Sequence, residues 1–163
     1  MIKLLRIDER LIHGQIVTGW SKLLSVSAIV VGNDKAASDD IVKMSLKMAA
    51  PQGMKVTIKT VKEAIQLLND PRCESMSILV IVDNPKDALE IAASVPGIPE
   101  INVGNYGRQE KEANRRKSLS TALFANDEEI DTLKKLLDTG IPCHVQMTAS
   151  EGKEKLADVL KQA

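Results

Sequence analysis

Two short runs, "SAIVVG" at 27–32 and "SILVIVD" at 77–83, constrain the fold of this chain more than any other feature. Each is apolar at nearly every position and rich in Val or Ile. A strand with one face in water alternates between apolar and polar residues, whereas a continuous run needs cover on both faces, as in a parallel sheet. Further strands are expected at "IKLLRI" (2–7), "KVTIK" (55–59), "EINVG" (100–104) and "CHVQM" (143–147), with a weaker signal at "LSTALF" (119–124). Helical stretches lie between them. Thr60 and Glu63 form a capping box ahead of "VKEAIQLLND", and Asn84 with Pro85 reads as an N-cap followed by the first helical residue. Asn126 and Glu129 open a helix with Ile130, Leu133 and Leu137 on one face, ended by Gly140. Ser150 is expected to cap a last helix carrying Leu156, Val159 and Leu160. This alternation predicts a single α/β domain over 1–163, three layers α/β/α, with a mostly parallel open sheet of about six or seven strands.

Composition narrows the function classes. Aromatic residues make up 2% of the chain (Trp20, Tyr106 and Phe124), so the core is aliphatic and stacking platforms for single-stranded nucleic acid are missing. Lys plus Arg equals Asp plus Glu at 22 each, which gives no global attraction to polyanions, and no nucleic-acid partner is expected. Cys73 and Cys143 stand far apart with no metal-ligand spacing, which suits a reducing compartment. No stretch approaches the ~18 apolar residues of a membrane span, and "MIKLLRIDER" meets charge too early for a signal peptide. The expected location is the cytoplasm. No metal ion or cofactor is called for.

In a doubly wound sheet, ligands bind beyond the carboxyl ends of the strands. The loop after the first strand, within "RIDERLIHGQI" (6–16), holds two carboxylates, an arginine and one of the two histidines. A neutral imidazole is a nucleophile at pH 7. Helical periodicity resumes at Gly14 and continues through Ile16, Val17, Trp20, Leu23 and Leu24, which puts His13 at a helix start where free N–H groups favour negative charge. A phosphoryl group in transfer seeks such donors, and the Arg10 fork and the Gly14 backbone supply them. Asp8 would repel a phosphate, so its role is to orient Arg10 or the imidazole. The plainer reading is a capping histidine in a solvated turn where Arg6, Asp8, Glu9 and Arg10 pair among themselves. Trp20 reads as a core anchor, and His144 as a structural residue without a catalytic neighbourhood.

"RIDERLIHGQIVTGW" resembles the opening of the IIB components of the mannose/fructose/sorbose family of the bacterial phosphoenolpyruvate-dependent sugar phosphotransferase system. "VVGNDKAASDDIVKMSLKMAAPQGMKV" and "VDNPKDALEIAASVPGIPEINVGN" extend the likeness over nearly the whole chain, in order. The resemblance implies that a phosphorylated IIA protein or domain donates to Nδ1 of His13. It implies that the chain then docks on membrane IIC and IID subunits, recruited to the inner face of the cell membrane, where the group passes to an entering sugar. Asp8, Arg10, Gly14 and Gln15 match the family motif around that histidine. A homo-oligomer is compatible with this scheme.

Other loops on the same rim supply candidate phosphate-supporting residues: Asn33 and Asp34 after the second strand, Asp83 and Asn84 after the fourth, and Gly104 and Asn105 in "GNYG", read as a loop nest of N–H groups. As structural residues, Asn33 is a turn former and Asn84 a cap. Tyr106 and Gly107 depart from relatives that carry Met or Phe at this point. The stretch 108–117 holds Arg108, Lys111, Arg115, Arg116 and Lys117, and reads either as a solvated face or as a docking surface for an acidic phospho-donor. On the docking reading, charge reversal at Arg115 and Arg116 slows transfer and leaves folding intact. Two other function classes compete. Histidine phosphatases and mutases carry Arg directly before the histidine, where this chain has Ile12, and need a second histidine with an acid partner. A flavodoxin-like binding or signalling domain would lack a phosphohistidine.

Overall fold

The structure, a computed structural model, describes residues 1–109 and 115–163. The strands are β1 (Ile2–Asp8), β2 (Ala28–Gly32), β3 (Lys55–Lys59), β4 (Ile78–Val82), β5 (Ile101–Asn105), β6 (Lys117–Ser118), β7 (Phe124–Ala125), β8 (Cys143–Val145) and β9 (Glu154–Lys155). The helices are α1 (Gly14–Leu24), α2 (Asp34–Ala37), α3 (Asp40–Ala49), α4 (Val61–Leu68), α5 (Pro85–Ser94), α6 (Asp127–Asp138) and α7 (Leu156–Leu160), with a 3₁₀ turn at Pro71–Ser75. One seven-stranded sheet runs β3-β2-β4-β1-β5-β8-β9, parallel except for the antiparallel β8–β9 pair.

Two apolar cores flank the sheet. Val17 and Trp20 of α1, Ala36 of α2 and Leu46 of α3 pack with Leu4, Ile29, Val31, Leu79 and Ile81 on one face. Val61 and Ala64 of α4, Ala88 and Ile91 of α5, Leu133 of α6 and Val159 of α7 pack with Leu5, Ile7, Val80 and Val103 on the other. Successive side chains of a strand point to opposite faces, so β2 and β4 are apolar throughout because both faces are covered.

The order of connections places the site. β1 leaves toward β2 over the α1 face, while its neighbours β4 and β5 leave the other way over the α5 and α6 face. The carboxyl end of β1 therefore opens on the crevice where the winding reverses.

Local start signals form as expected. Thr60 and Asn126 each close a capping box with the glutamate three residues on, and Asn84 accepts from the Asp87 N–H at 2.8 Å ahead of Pro85. Three expectations are corrected. Ser150 caps no helix, since β9 intervenes and α7 begins only at Leu156. Residues 119–124 are mainly the turn of a hairpin between β6 and β7, whose apolar Leu119, Ala122 and Leu123 are buried by packing rather than by sheet pairing. Gly104 and Asn105 belong to β5 and not to a loop, because β5 extends to pair Asn105 with Asp8.

Candidate functional site

The loop after β1 is nailed down by its own apolar residues. Leu11 and Ile12 are buried in the α1-side core, so Arg10 before them is left exposed and His13 after them sits half-buried at the rim. Leu11 holds a left-handed φ of 58°, a conformation that costs a non-glycine residue about 1–2 kcal/mol and is sustained here by the burial of its side chain. Its N–H donates to the Asp8 carbonyl at 2.9 Å, and the Glu9 N–H donates to the Asn105 carbonyl at 2.8 Å.

His13 is the residue ahead of α1, with extended backbone, and its ring does not cap the helix. The ring turns inward instead: Nε2 lies 2.8 Å from Oδ2 of Asp8. The same Oδ2 accepts from Nη2 of Arg6 at 3.0 Å, and Oδ1 accepts from the Arg10 backbone N–H at 2.9 Å. Burial pushes the Asp8 carboxyl up, but the bond from His13, the Arg6 charge and the Arg10 amide outweigh it and hold the group below the usual carboxylate range. An ionised carboxylate only accepts, so Nε2 carries the ring hydrogen and Nδ1 of a neutral ring keeps its lone pair. Asp8 thus orients the imidazole, and takes from Arg10 the backbone amide rather than the guanidinium.

The plainer expectation of a solvated turn fails at Arg6, which lies inside β1. Arg6 is 1% exposed. Its Nη1 donates to Oδ1 of Asn102 at 2.6 Å and to the Gln146 carbonyl at 3.2 Å, its Nη2 also to the Met147 carbonyl at 2.9 Å, and its plane lies 5.2 Å from the centre of the Trp20 ring. A buried ion pair persists only when its remaining donors are satisfied, and here both terminal nitrogens are. Burial draws the guanidinium down from its ordinary value, against the opposing charge of Asp8. A Cβ on Gly104 would come within 2.1 Å of the Arg6 Cζ, so Gly104 serves as the space through which Arg6 passes. The available sequence signal was an arginine in mid-strand, two residues before an aspartate and therefore on the same face.

Trp20 is the expected core anchor, and its Nε1 donates to the Met147 carbonyl at 3.0 Å. Gly14 and Gln15 form the exposed first turn of α1, where no acidic side chain stands. Gly14 has a φ of +43° and open space where a Cβ would lie. The remaining candidates serve helix starts. Asn33 caps α2 through the Ala36 N–H at 2.8 Å, Asp34 accepts from the Val61 N–H at 2.9 Å, and Asp83 accepts from Nδ2 of Asn84 at 2.7 Å. Asn105 is buried opposite Asp8, and its Oδ1 lacks a hydrogen-bond partner among the described residues. No three His, Cys, Asp or Glu side chains come together to hold a metal among the described residues.

Two further readings change. His144 does have an acid partner, its Nδ1 lying 2.6 Å from Glu100. That pair sits level with Asn102, toward the amino end of β5, about three residues or 10 Å below the Asp8 level. Arg116 is not a free docking cation: it pairs with Glu129 at 2.9 Å, and the two side chains are 11% and 14% exposed. Reversing its charge would set two carboxylates together, so the expectation of intact folding does not stand. Lys111 lies outside the described residues.

The chain is similar to known proteins over nearly its whole length. The family model "PTS system sorbose subfamily IIB component" matches residues 2–163. The "Probable phosphotransferase enzyme IIB component" of Streptococcus pyogenes serotype M6 is 44% identical over 138 residues, covering 84% of this chain and 85% of that protein. The mannose-specific EIIAB component of Escherichia coli K12 is 31% identical over 163 residues, which is 99% of this chain and 49% of that longer protein. The crystal structure of the IIBSor domain of the Klebsiella pneumoniae sorbose permease superposes with a TM-score of 0.91 at 28% identity, covering 100% of this chain and 98% of that one. Neither the phosphatase reading nor the signalling-domain reading is favoured. The chain belongs to the sorbose-subfamily IIB components and is a phosphocarrier of a sugar phosphotransferase system.

Proposed function

We propose that residues 1–163 act as one IIB domain that accepts a phosphoryl group from a phosphorylated IIA protein on Nδ1 of His13. The group then passes to a sugar hydroxyl at membrane IIC and IID subunits, which makes the chain a protein-N(π)-phosphohistidine–sugar phosphotransferase working at the inner face of the membrane. The observation that carries the proposal is the bond from Nε2 of His13 to Asp8, which leaves Nδ1 as the open nucleophile at the start of α1.

In the transfer, the Nδ1 lone pair forms the N–P bond as the bond from phosphorus to the donor breaks. The ring keeps its Nε2 hydrogen and gains positive charge, which Asp8 faces at hydrogen-bond distance. The free amides of the first turn of α1 and the Arg10 guanidinium suit the negative phosphoryl oxygens. Arg6 keeps Asp8 in place and ionised. In onward transfer the sugar hydroxyl oxygen forms the O–P bond as the P–Nδ1 bond breaks, the hydroxyl proton passes to water or to a base of the membrane subunits, and Nδ1 recovers its lone pair.

Incubation with phosphoenolpyruvate, the general phosphotransfer proteins and a matching IIA, followed by mass mapping, tests this. Acid-labile, base-stable phosphate is expected on His13, with none on His144 and none in His13→Ala. Label that survives in His13→Ala would overturn it.

A further inference from the structure

Arg116 belongs to the basic stretch, yet its side chain faces inward and joins two parts of the molecule. Its Nε and Nη2 donate to the Glu129 carboxylate at 2.9 Å each, and Nη2 also donates to the Tyr106 hydroxyl at 3.1 Å. Its Nη1 donates to the backbone carbonyl of Gln109 at 2.7 Å. The guanidinium lies 5.1 Å from the centre of the Tyr106 ring, and the Tyr106 hydroxyl donates to Glu129. Glu129 is itself fixed, since it closes the capping box at the start of α6.

The other end of this connection is the site loop. Glu9, next in sequence to Asp8, accepts from the backbone N–H groups of Arg108 at 3.1 Å and Gln109 at 3.4 Å. Gln109 is thus held on both sides, its N–H by Glu9 and its carbonyl by Arg116. The segment between is pinned as well. Tyr106 exchanges backbone bonds with Ala122 and Phe124 at 2.8 Å each. Gly107, at a φ of +86°, passes so close to the Phe124 carbonyl that a Cβ would lie 1.8 Å from its oxygen.

We propose that Arg116 is a positioning residue for phosphoryl transfer: anchored on Glu129 and Tyr106, it holds residues 108–109 against Glu9 and so fixes the loop that carries Asp8 and His13. The inference rests on the reading of His13 as acceptor. Charge-assisted bonds of this kind are short and directional, and a displacement of ~1 Å at a reacting group costs about a hundredfold in rate.

The test is a double-mutant cycle. Arg116→Gln, Glu9→Ala and the double variant are compared with the unaltered chain, measuring transfer from phosphorylated IIA across donor concentrations at two salt concentrations. Each single variant is expected to lower the saturating rate about tenfold with the half-saturating donor concentration unchanged, and the double variant to be no slower than either. Tyr106→Phe, which keeps the ring and removes one hydroxyl, is expected to give a smaller loss in the same quantity, and it serves if Arg116→Gln does not fold. A salt-dependent rise in the half-saturating concentration would make Arg116 a docking cation and overturn the proposal. So would a lowered melting temperature with an unchanged saturating rate, or fully additive losses. Absence of label on His13 in the unaltered chain would instead defeat the acceptor reading, independently of the cycle.

Discussion

Nε2 of His13 and Oδ2 of Asp8 lie 2.8 Å apart, and that contact leaves Nδ1 as the ring nitrogen that does not face the carboxylate. It joins the last residue of β1 to the residue ahead of α1, across a loop folded back on itself by two buried apolar side chains. The carboxylate is shared with Arg6, so any change at Asp8 is felt on both sides.

Asp8→Asn keeps the shape and removes the charge. The amide can present an N–H to the ring and so favour the other tautomer. Transfer onto His13 is expected to fall about a hundredfold or more. Arg6 would lose its counter-charge in the interior, and stability is expected to drop by about 3–5 kcal/mol. Single-turnover transfer and urea unfolding read the two effects separately, and a variant with full activity would refute the orienting role.

Gly104→Ala drives a methyl into the Arg6 guanidinium, where the contact would be 2.1 Å. We expect a loss of about 1–3 kcal/mol in the unfolding free energy measured with urea, as for overpacking, together with slower transfer through the displaced Asp8. Gly152→Ala is the control, with no atom within 4 Å of the added methyl. Its expected change is within about 0.5 kcal/mol. Equal effects at the two glycines would show that Arg6 does not need the space.

Acid should weaken the fold partly through Asp8. Burial raises its carboxyl, the contacts with His13, Arg6 and the Arg10 amide lower it more, and the net shift is downward. A group depressed in the folded state stabilises above its unfolded value, here about 3.9, and that contribution fades as pH falls through the folded value. Glu129 has the same sign: burial raises it, and the bonds from Arg116, Tyr106 and the Asn126 amide together lower it more. The stability gap between the unaltered chain and Asp8→Asn is therefore expected to narrow as pH falls below about 4. Urea unfolding at a series of pH values measures it, and a gap that persists unchanged at low pH would show that Asp8 gains no charge-dependent stability.

Arg10→Gln separates chemistry from folding. The Arg10 side chain is exposed, and its contribution to the Asp8 network is a backbone N–H that glutamine retains. Stability is expected to change by less than about 0.5 kcal/mol. Transfer is expected to slow about ten- to a hundredfold, as when one charge-stabilising donor is lost. A transfer rate within twofold of the unaltered chain, measured by rapid quench, would remove Arg10 from the site.

Elements whose signals are local can be read from the residues alone. β2 and β4 are legible because covered strands are continuous apolar runs, and α4, α5 and α6 because their caps lie within three residues of what they cap. His13, Asp8 and Arg10 were legible as a group because one short loop holds them all. Tertiary structure alone decided that Arg6 is interior, since its partners come from residues 8, 102, 146 and 147 on three strands or strand ends brought side by side. It alone moved Arg116 from a solvated run into an ion pair with Glu129, and brought Gln109 against Glu9. The physical reason is common to these cases. A charged side chain looks the same in sequence whether water or a fixed partner compensates it, and the partner is supplied only when distant segments meet.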